Sequence, residues 1–363
     1  MGKDELFCAY MGQSGKKILQ SEIWSCPDAE TYLTGIDYYK NPQKCRLEMK
    51  RLYPRLNLPV PETDESIPLP VLDKASVDKE AYTVRWGAGM TDTFRHGEAF
   101  FNDPEEVFRF SPLEHADFTE WNHVVVNYDF SDEETLYNQF RRDYPAEWGD
   151  KAPANSSVGV TFYNTMFMWP MLTFGWELFL ECCLDERFKR IMDEFAEINR
   201  RVFRAFARLP INFVTCHDDI AVSRGPVCSP KWMNEYIFPR YEEYWSILKA
   251  AGKEIIFMGD GCLDVYADDI FACGARGIVT EPYTDFKAIA GKHKDCYLAG
   301  EGDVRILNRN NRDEIKQMVK SMVETADMSA GYVMSVGNHI PWNTEPEGIK
   351  TYLELTDQLG YRQ

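Results

Sequence analysis

The sequence predicts an α/β fold, a (β/α)8 barrel with an N-terminal helical extension, and three observations carry that prediction. From about residue 80, short β-branched or aromatic runs alternate with longer amphipathic segments, the rhythm of parallel βα units. A chain of 363 residues has room for one barrel and an extension. Acids and imidazoles stand where successive apolar runs end, which is where such barrels carry their chemistry.

Residues 1–55 read as mainly helical, with Pro42 opening a helix at QKCRLEMKRLYPRL. The proline-rich stretch 57–80 reads as irregular or edge structure. Residues 1–80 are therefore taken as an extension packed on a barrel of residues 81–363. The expected strands are VVVNY (124–128), VGVTFY (158–163), INFVTC (211–216), EIIFM (254–258), GIVTEP (277–282), CYLAGEG (296–302) and GYVMSVG (331–337). Between them lie amphipathic segments such as DERFKRIMDEFAEINRRVFRAFARL and DEIKQMVKSMVETA, whose apolar residues recur at helical spacing.

Composition narrows the function classes. A net charge of −18 and a pI near 4.9 leave no basic footprint for nucleic acid and disfavour an anionic membrane surface. The start, MGKDELFCAY, has no apolar core of signal-peptide length, and no stretch approaches the ~20 apolar residues of a membrane span. A cytoplasmic location is expected. The ten cysteines then read as reduced thiols, and the absence of CxxC excludes a zinc ribbon.

The strand ends supply the candidate site. They carry His217-Asp218-Asp219, Asp260, Glu281, Glu301 with Asp303, and Asn338-His339. Asp260 lies between Gly259 and Gly261, and Glu301 between Gly300 and Gly302. Glycine permits a tight turn and close approach of a ligand, so an acid framed this way is either a turn residue or a working carboxylate. Agreement among neighbouring strand ends favours the second reading. His217, Asp218 and Asp219 are candidates for acid–base work, with the choice between the two acids open. Asp260, Glu281, Glu301 and His339 are the further candidates at these ends. The run Phe162–Trp169 is mostly core by type, and Tyr163, Asn164 and Asn338 are the substrate-contact candidates.

Four segments, in order, resemble the uroporphyrinogen decarboxylase superfamily across residues 85–357. They are FYNTMFMWPMLTFGWELFLECCLDE (162–186), CHDDIAVSRGPVCSPKWMNEYIFPRYEEYWSILKAAG (216–252), AGEGDVRILNRNNRDEI (299–315) and GYVMSVGNHIPWNTEPEGIKTY (331–352). The resemblance implies the barrel and two possible chemistries: cofactor-free decarboxylation of a porphyrinogen, or methyl transfer involving a corrinoid or thiol. The decarboxylase branch is marked by an Arg-rich N-terminal stretch, which is missing here, and by a His where this chain has Asn338. The thiol-type methyltransferases bind zinc through His-x-Cys and a later Cys; here those positions read Met258-Gly259-Asp260 and Asn338. What the resemblance leaves is the corrinoid-dependent O-demethylase branch. It implies a methyl donor such as an aryl methyl ether, a corrinoid carried on a partner protein, and a zinc ion assisting departure of the oxygen, for which the missing thiolates leave the oxygen/nitrogen set Asp260, Glu281, Glu301 and His339. A homodimer is compatible with it. The alternatives are a decarboxylase-like lyase and a non-catalytic, ligand-binding barrel.

Overall fold

The computed structural model describes residues 15–24, 26–54, 56, 60, 77–78, 83–85, 91–93, 101–116, 128–143, 159–163 and 165–363. The chain divides into two compact units, one of residues 1–98 and 285–363 and one of residues 99–284.

Along the chain, β1 (Leu19–Gln20), α1 (Pro27–Thr34) and α2 (Pro42–Leu52) precede three short strands, β2 (Val77–Asp78), β3 (Thr83–Arg85) and β4 (Thr91–Thr93). Helices α3 (Pro104–Arg109) and α4 (Glu133–Asp143) lead to β5 (Gly159–Tyr163), followed by α5 (Met168–Phe174), α6 (Trp176–Cys182) and α7 (Phe188–Arg208). Strand β6 (Phe213–His217) is followed by a hairpin of β7 (Ala221–Val222) and β8 (Gly225–Pro226), then by α8 (Pro230–Tyr236) and α9 (Phe238–Ala250). The alternation continues with β9 (Glu254–Met258), α10 (Ala267–Cys273), β10 (Gly277–Val279), α11 (Phe286–Lys292), β11 (Tyr297–Ala299), α12 (Val304–Asn308), α13 (Arg312–Met328), β12 (Gly331–Met334) and α14 (Pro346–Leu359).

The fold class is α/β, of the parallel kind expected for a (β/α)8 barrel. In the 99–284 unit, β5, β6, β9 and β10 run parallel in that order. Their cores are apolar without alternation, as Val214, Cys216, Ile255, Ile256 and Phe257 are all buried. That is what a sheet covered on both faces requires. Helix α7 turns one apolar stripe inward, and its Phe203 and Phe206 meet Phe162 of β5 at 5.9 and 5.6 Å between ring centres. Phe206 also stacks on Phe140 of α4 at 4.5 Å, and Phe203 on Tyr244 of α9 at 5.0 Å. Each fully buried ring of this kind contributes about 1.5–3 kcal/mol.

In the other unit β1, β12 and β11 run parallel, with Leu19 opposite Val333 and Tyr297 opposite Gly331. Helix α13 caps its own start, because the Asn311 side chain accepts from the amides of Asp313 and Glu314. Strands β2, β3 and β4 form a separate antiparallel sheet with β2 at its edge. Within the stretch read as mainly helical, which carries α1 and α2, Leu19–Gln20 is a short strand. Two residues are too few to show a period, so only pairing with β12 reveals it. Of the expected strand at 124–128, residues 124–127 lie outside the described residues.

Candidate functional site

Register between β6 and β9 builds the site. His217, the last residue of β6, pairs with Met258, the last of β9. The pairing carries one step further, as the Asp218 amide donates to the Met258 carbonyl at 2.9 Å. The residues that follow each strand are therefore side by side. His217, Asp219 and Asp260 place ligand atoms within 4.8 Å of one another, the one such group of three His, Cys, Asp or Glu among the described residues. His217 Nε2 lies 3.0 Å from Asp219 Oδ1, and the same oxygen accepts from the Asp260 amide at 2.8 Å.

Both glycines around Asp260 are sterically dictated. A Cβ on Gly259 would lie 2.7 Å from the Asp218 carbonyl oxygen. Gly261 has φ +83°, and a Cβ there would lie 2.6 Å from the Val222 carbonyl carbon in the β7–β8 hairpin. The turn is also fastened from outside. Glu281 Oε2, just beyond β10, accepts from the Gly261 amide at 2.8 Å. The Thr280 and Thr284 hydroxyls both donate to the Gly261 carbonyl at 3.2 Å. The acid framed by glycines is thus held at a fixed point through backbone hydrogen bonds of Asp260 and Gly261.

Asp218 and Asp219 separate cleanly. In an extended segment successive side chains point to opposite sides, so His217 and Asp219 share one side and Asp218 takes the other. Asp218 is fully buried. Its Oδ2 accepts from the Thr165 hydroxyl at 2.6 Å, the Tyr241 hydroxyl at 2.6 Å and the Phe167 amide at 2.8 Å, and its Oδ1 from the Met168 amide at 2.6 Å. Helix α5 has no capping side chain of its own at Phe167, and Asp218 supplies one from a different strand. Burial pushes its carboxyl above the ordinary range while these donors oppose the shift. Burial also opposes ionisation of Asp219, yet the His217 hydrogen bond and charge, with the Asp260 amide, outweigh it and hold that carboxyl below its usual value. Thr165 and Tyr241 escaped the sequence reading. The one available signal was a helix starting at MWPMLTF with no Ser, Thr, Asp or Asn at its cap.

The other residues singled out in the sequence are placed as follows. Glu281 is half-buried and engaged with the Gly261 amide, outside the group of three. Glu301 is not part of that group either. Its carboxylate accepts from the hydroxyls of Ser321 and Thr325 on α13 at 3.2 and 3.1 Å and of Tyr332 on β12 at 2.7 Å. Burial raises its carboxyl above the ordinary value, and these donors oppose the rise. His339 is half-buried, with Nδ1 2.8 Å from the Asn338 side-chain oxygen, and it too stands outside the group. Asn338 is exposed and has φ +61°, a conformation Asn tolerates better than most residues. Tyr163 ends β5, where it pairs with His217 in register. Asn164 and the Tyr163 side chain lie outside the described residues.

The donor set fits a divalent metal. One imidazole nitrogen and two carboxylates leave a fourth position open, as catalytic zinc sites do. Tetrahedral bonds of ~2.0–2.2 Å put ligand atoms roughly 3.3 Å apart, within the 4.8 Å that bounds the separations here. No thiolate belongs to the group, so its preference is for zinc or a harder ion.

Among the described residues no helix is long and apolar enough to cross a membrane. No curated protein matches the chain. The family model described as uroporphyrinogen decarboxylase (URO-D) matches residues 175–359, just over half of the chain, from the start of α6 to the end of α14. Members of that family are enzymes. The matched stretch contains His217, Asp219 and Asp260, and on its extent the chain belongs to the uroporphyrinogen decarboxylase family.

Proposed function

We propose that the protein transfers a methyl group from an O-methyl donor, an aryl methyl ether in the first instance, to the cobalt of a corrinoid carried by a separate protein. The observation that carries this reading is the convergence of His217, Asp219 and Asp260 at adjacent strand ends. Three carboxylates, those of Asp219, Asp260 and Glu281, stand on or beside this one turn. Such a surface repels a polycarboxylated tetrapyrrole and suits a neutral ether beside a cation.

In this reading His217 presents an imidazole nitrogen and Asp219 a carboxylate, side by side at the end of β6. Asp260 adds the second carboxylate from a turn that Glu281, Thr280 and Thr284 keep in place. These three would hold zinc, which when bound supplies polarisation of the donor oxygen and eases its departure. Asp218 anchors α5 and touches neither donor nor metal. The protein works as a cytoplasmic component.

The test is turnover of a panel of methoxylated aromatics with reduced cobalamin as acceptor, followed by the visible spectrum of methylcobalamin, alongside elemental analysis of the protein. Zinc at about one per chain and methylcobalamin formation with at least one ether are expected. Metal-independent decarboxylation of a porphyrinogen, with no methylcobalamin from any donor, would overturn the reading in favour of a lyase.

A further inference from the structure

Among the described residues of the 99–284 unit, five large apolar side chains are exposed, and three of them stand around the Asp260 turn. Val222 is 46% exposed at the tip of the β7–β8 hairpin, Val265 51% in the loop after Asp260, and Tyr283 37% in the loop after β10. The other two, Trp176 and Leu184, belong to α6 and the chain just beyond it. Hydrogen bonds set the three loops side by side. The Cys262 amide donates to the Val222 carbonyl at 3.0 Å, the Leu263 amide to the Thr284 hydroxyl at 2.9 Å, and the Gly261 amide to Glu281 at 2.8 Å. Single exposed apolar residues are ordinary on a surface, whereas three from three adjoining loops, beside a candidate metal site, mark a contact face. The exposed charges next to them are one of each sign, Arg224 in the hairpin and Asp264 beside Val265.

We propose that Val222, Val265 and Tyr283 form the rim on which the macrocycle of the corrinoid acceptor rests during methyl transfer. This rim rests on the methyl-transfer reading above. Displacement at a methyl carbon is in line, so the acceptor approaches from the side opposite the departing oxygen. The pair of the C–O bond leaves with that oxygen, and the pair for the new bond comes from the reduced acceptor. With the donor oxygen turned toward His217, Asp219 and Asp260, the acceptor comes in over the solvent side of the turn, where these three side chains stand. A corrin ring is a broad apolar plate edged by uncharged carboxamides. The plate covers apolar side chains that water otherwise surrounds, and its edge can donate to Asp264 and accept from Arg224. A macrocycle edged by carboxylates would instead meet Asp264 and Glu281 as like charges.

Two measurements separate the rim from the reaction. Methylcobalamin, whose cobalt is already capped by methyl, is dialysed to equilibrium in the dark against the full chain, and the KM for free reduced cobalamin is measured with the methoxylated aromatics. Wild type should bind methylcobalamin saturably and uroporphyrin more weakly. Val222→Asp and Val265→Asp should each raise the dissociation constant and the KM about 10-fold, the loss of one apolar contact, at an unchanged melting temperature. Leu184→Asp, at an 89% exposed position beyond α6, should leave both constants as in wild type. Methylcobalamin binding weakened by the rim variants, with no ether demethylated, would support the rim and count against the reaction. Demethylation with the same KM in wild type and rim variants would overturn the rim and leave the reaction standing. No saturable binding, tighter binding of uroporphyrin, or equal weakening by Leu184→Asp would also overturn it.

Discussion

Glu22 offers a test of the packing that can be worked through in numbers. Its side chain is 8% exposed, and it accepts from the Val336 amide at 2.9 Å, the Tyr352 hydroxyl at 2.8 Å and Gln20 Nε2 at 3.1 Å. Burial raises its carboxyl from the usual 4.5 to about 7, and the three donors only moderate the rise. Between those two values the folded chain binds more protons than the unfolded chain, so stability falls as pH rises. The contribution is fully present below about 4.5 and gone above about 7. A difference of roughly 2.5 units at 1.36 kcal/mol each amounts to about 3 kcal/mol. Glu22→Gln removes the titration at a pH-independent cost of about 1–2 kcal/mol for the mismatched donor. Urea unfolding of both proteins at pH 4.5 and pH 8 isolates the term, because Glu301 and Asp218, which burial also raises, titrate in both. The wild type should lose about 3 kcal/mol relative to the variant over that interval. Parallel losses in the two proteins would refute the assignment of a neutral, buried Glu22.

Asp260→Ala should lower zinc affinity by more than the ~10–100-fold typical of outer-shell changes, with little change in the melting temperature of the metal-free protein; unchanged metal stoichiometry would remove Asp260 from the ligand set. Asp218→Asn leaves at least one of four donors facing an amide N–H, and thermal unfolding should show a loss of about 2–4 kcal/mol; lost activity at an unchanged melting temperature would instead make Asp218 catalytic. Gly261→Ala adds a Cβ against the Val222 carbonyl at positive φ, so isothermal titration should show weakened zinc binding, and wild-type affinity would mean that the hairpin yields freely.

Much of the fold was legible because hydrophobic period is a local property. EIIFM at 254–258 matches β9 residue for residue, INFVTC at 211–216 lies one or two residues from β6, and the segment 185–209 contains α7. Strands β10 and β11 are shorter than GIVTEP and CYLAGEG suggested, since pairing ends before the apolar or glycine-rich character does. Strand β1 left no period to read.

The candidate site was legible as a set of positions and not as a constellation. Sequence alone determined that acids and imidazoles cluster at strand ends, that glycines frame Asp260, and that no His-x-Cys motif is available. It could not separate Asp218 from Asp219, because that depends on which side of an extended segment faces α5. Nor could it show that Glu301 turns to the hydroxyls of α13 and Tyr332. Periodicity and turn chemistry are written in neighbouring residues, so they survive in one dimension. Which atoms converge is set by strand register and helix packing, and only the tertiary structure fixes those.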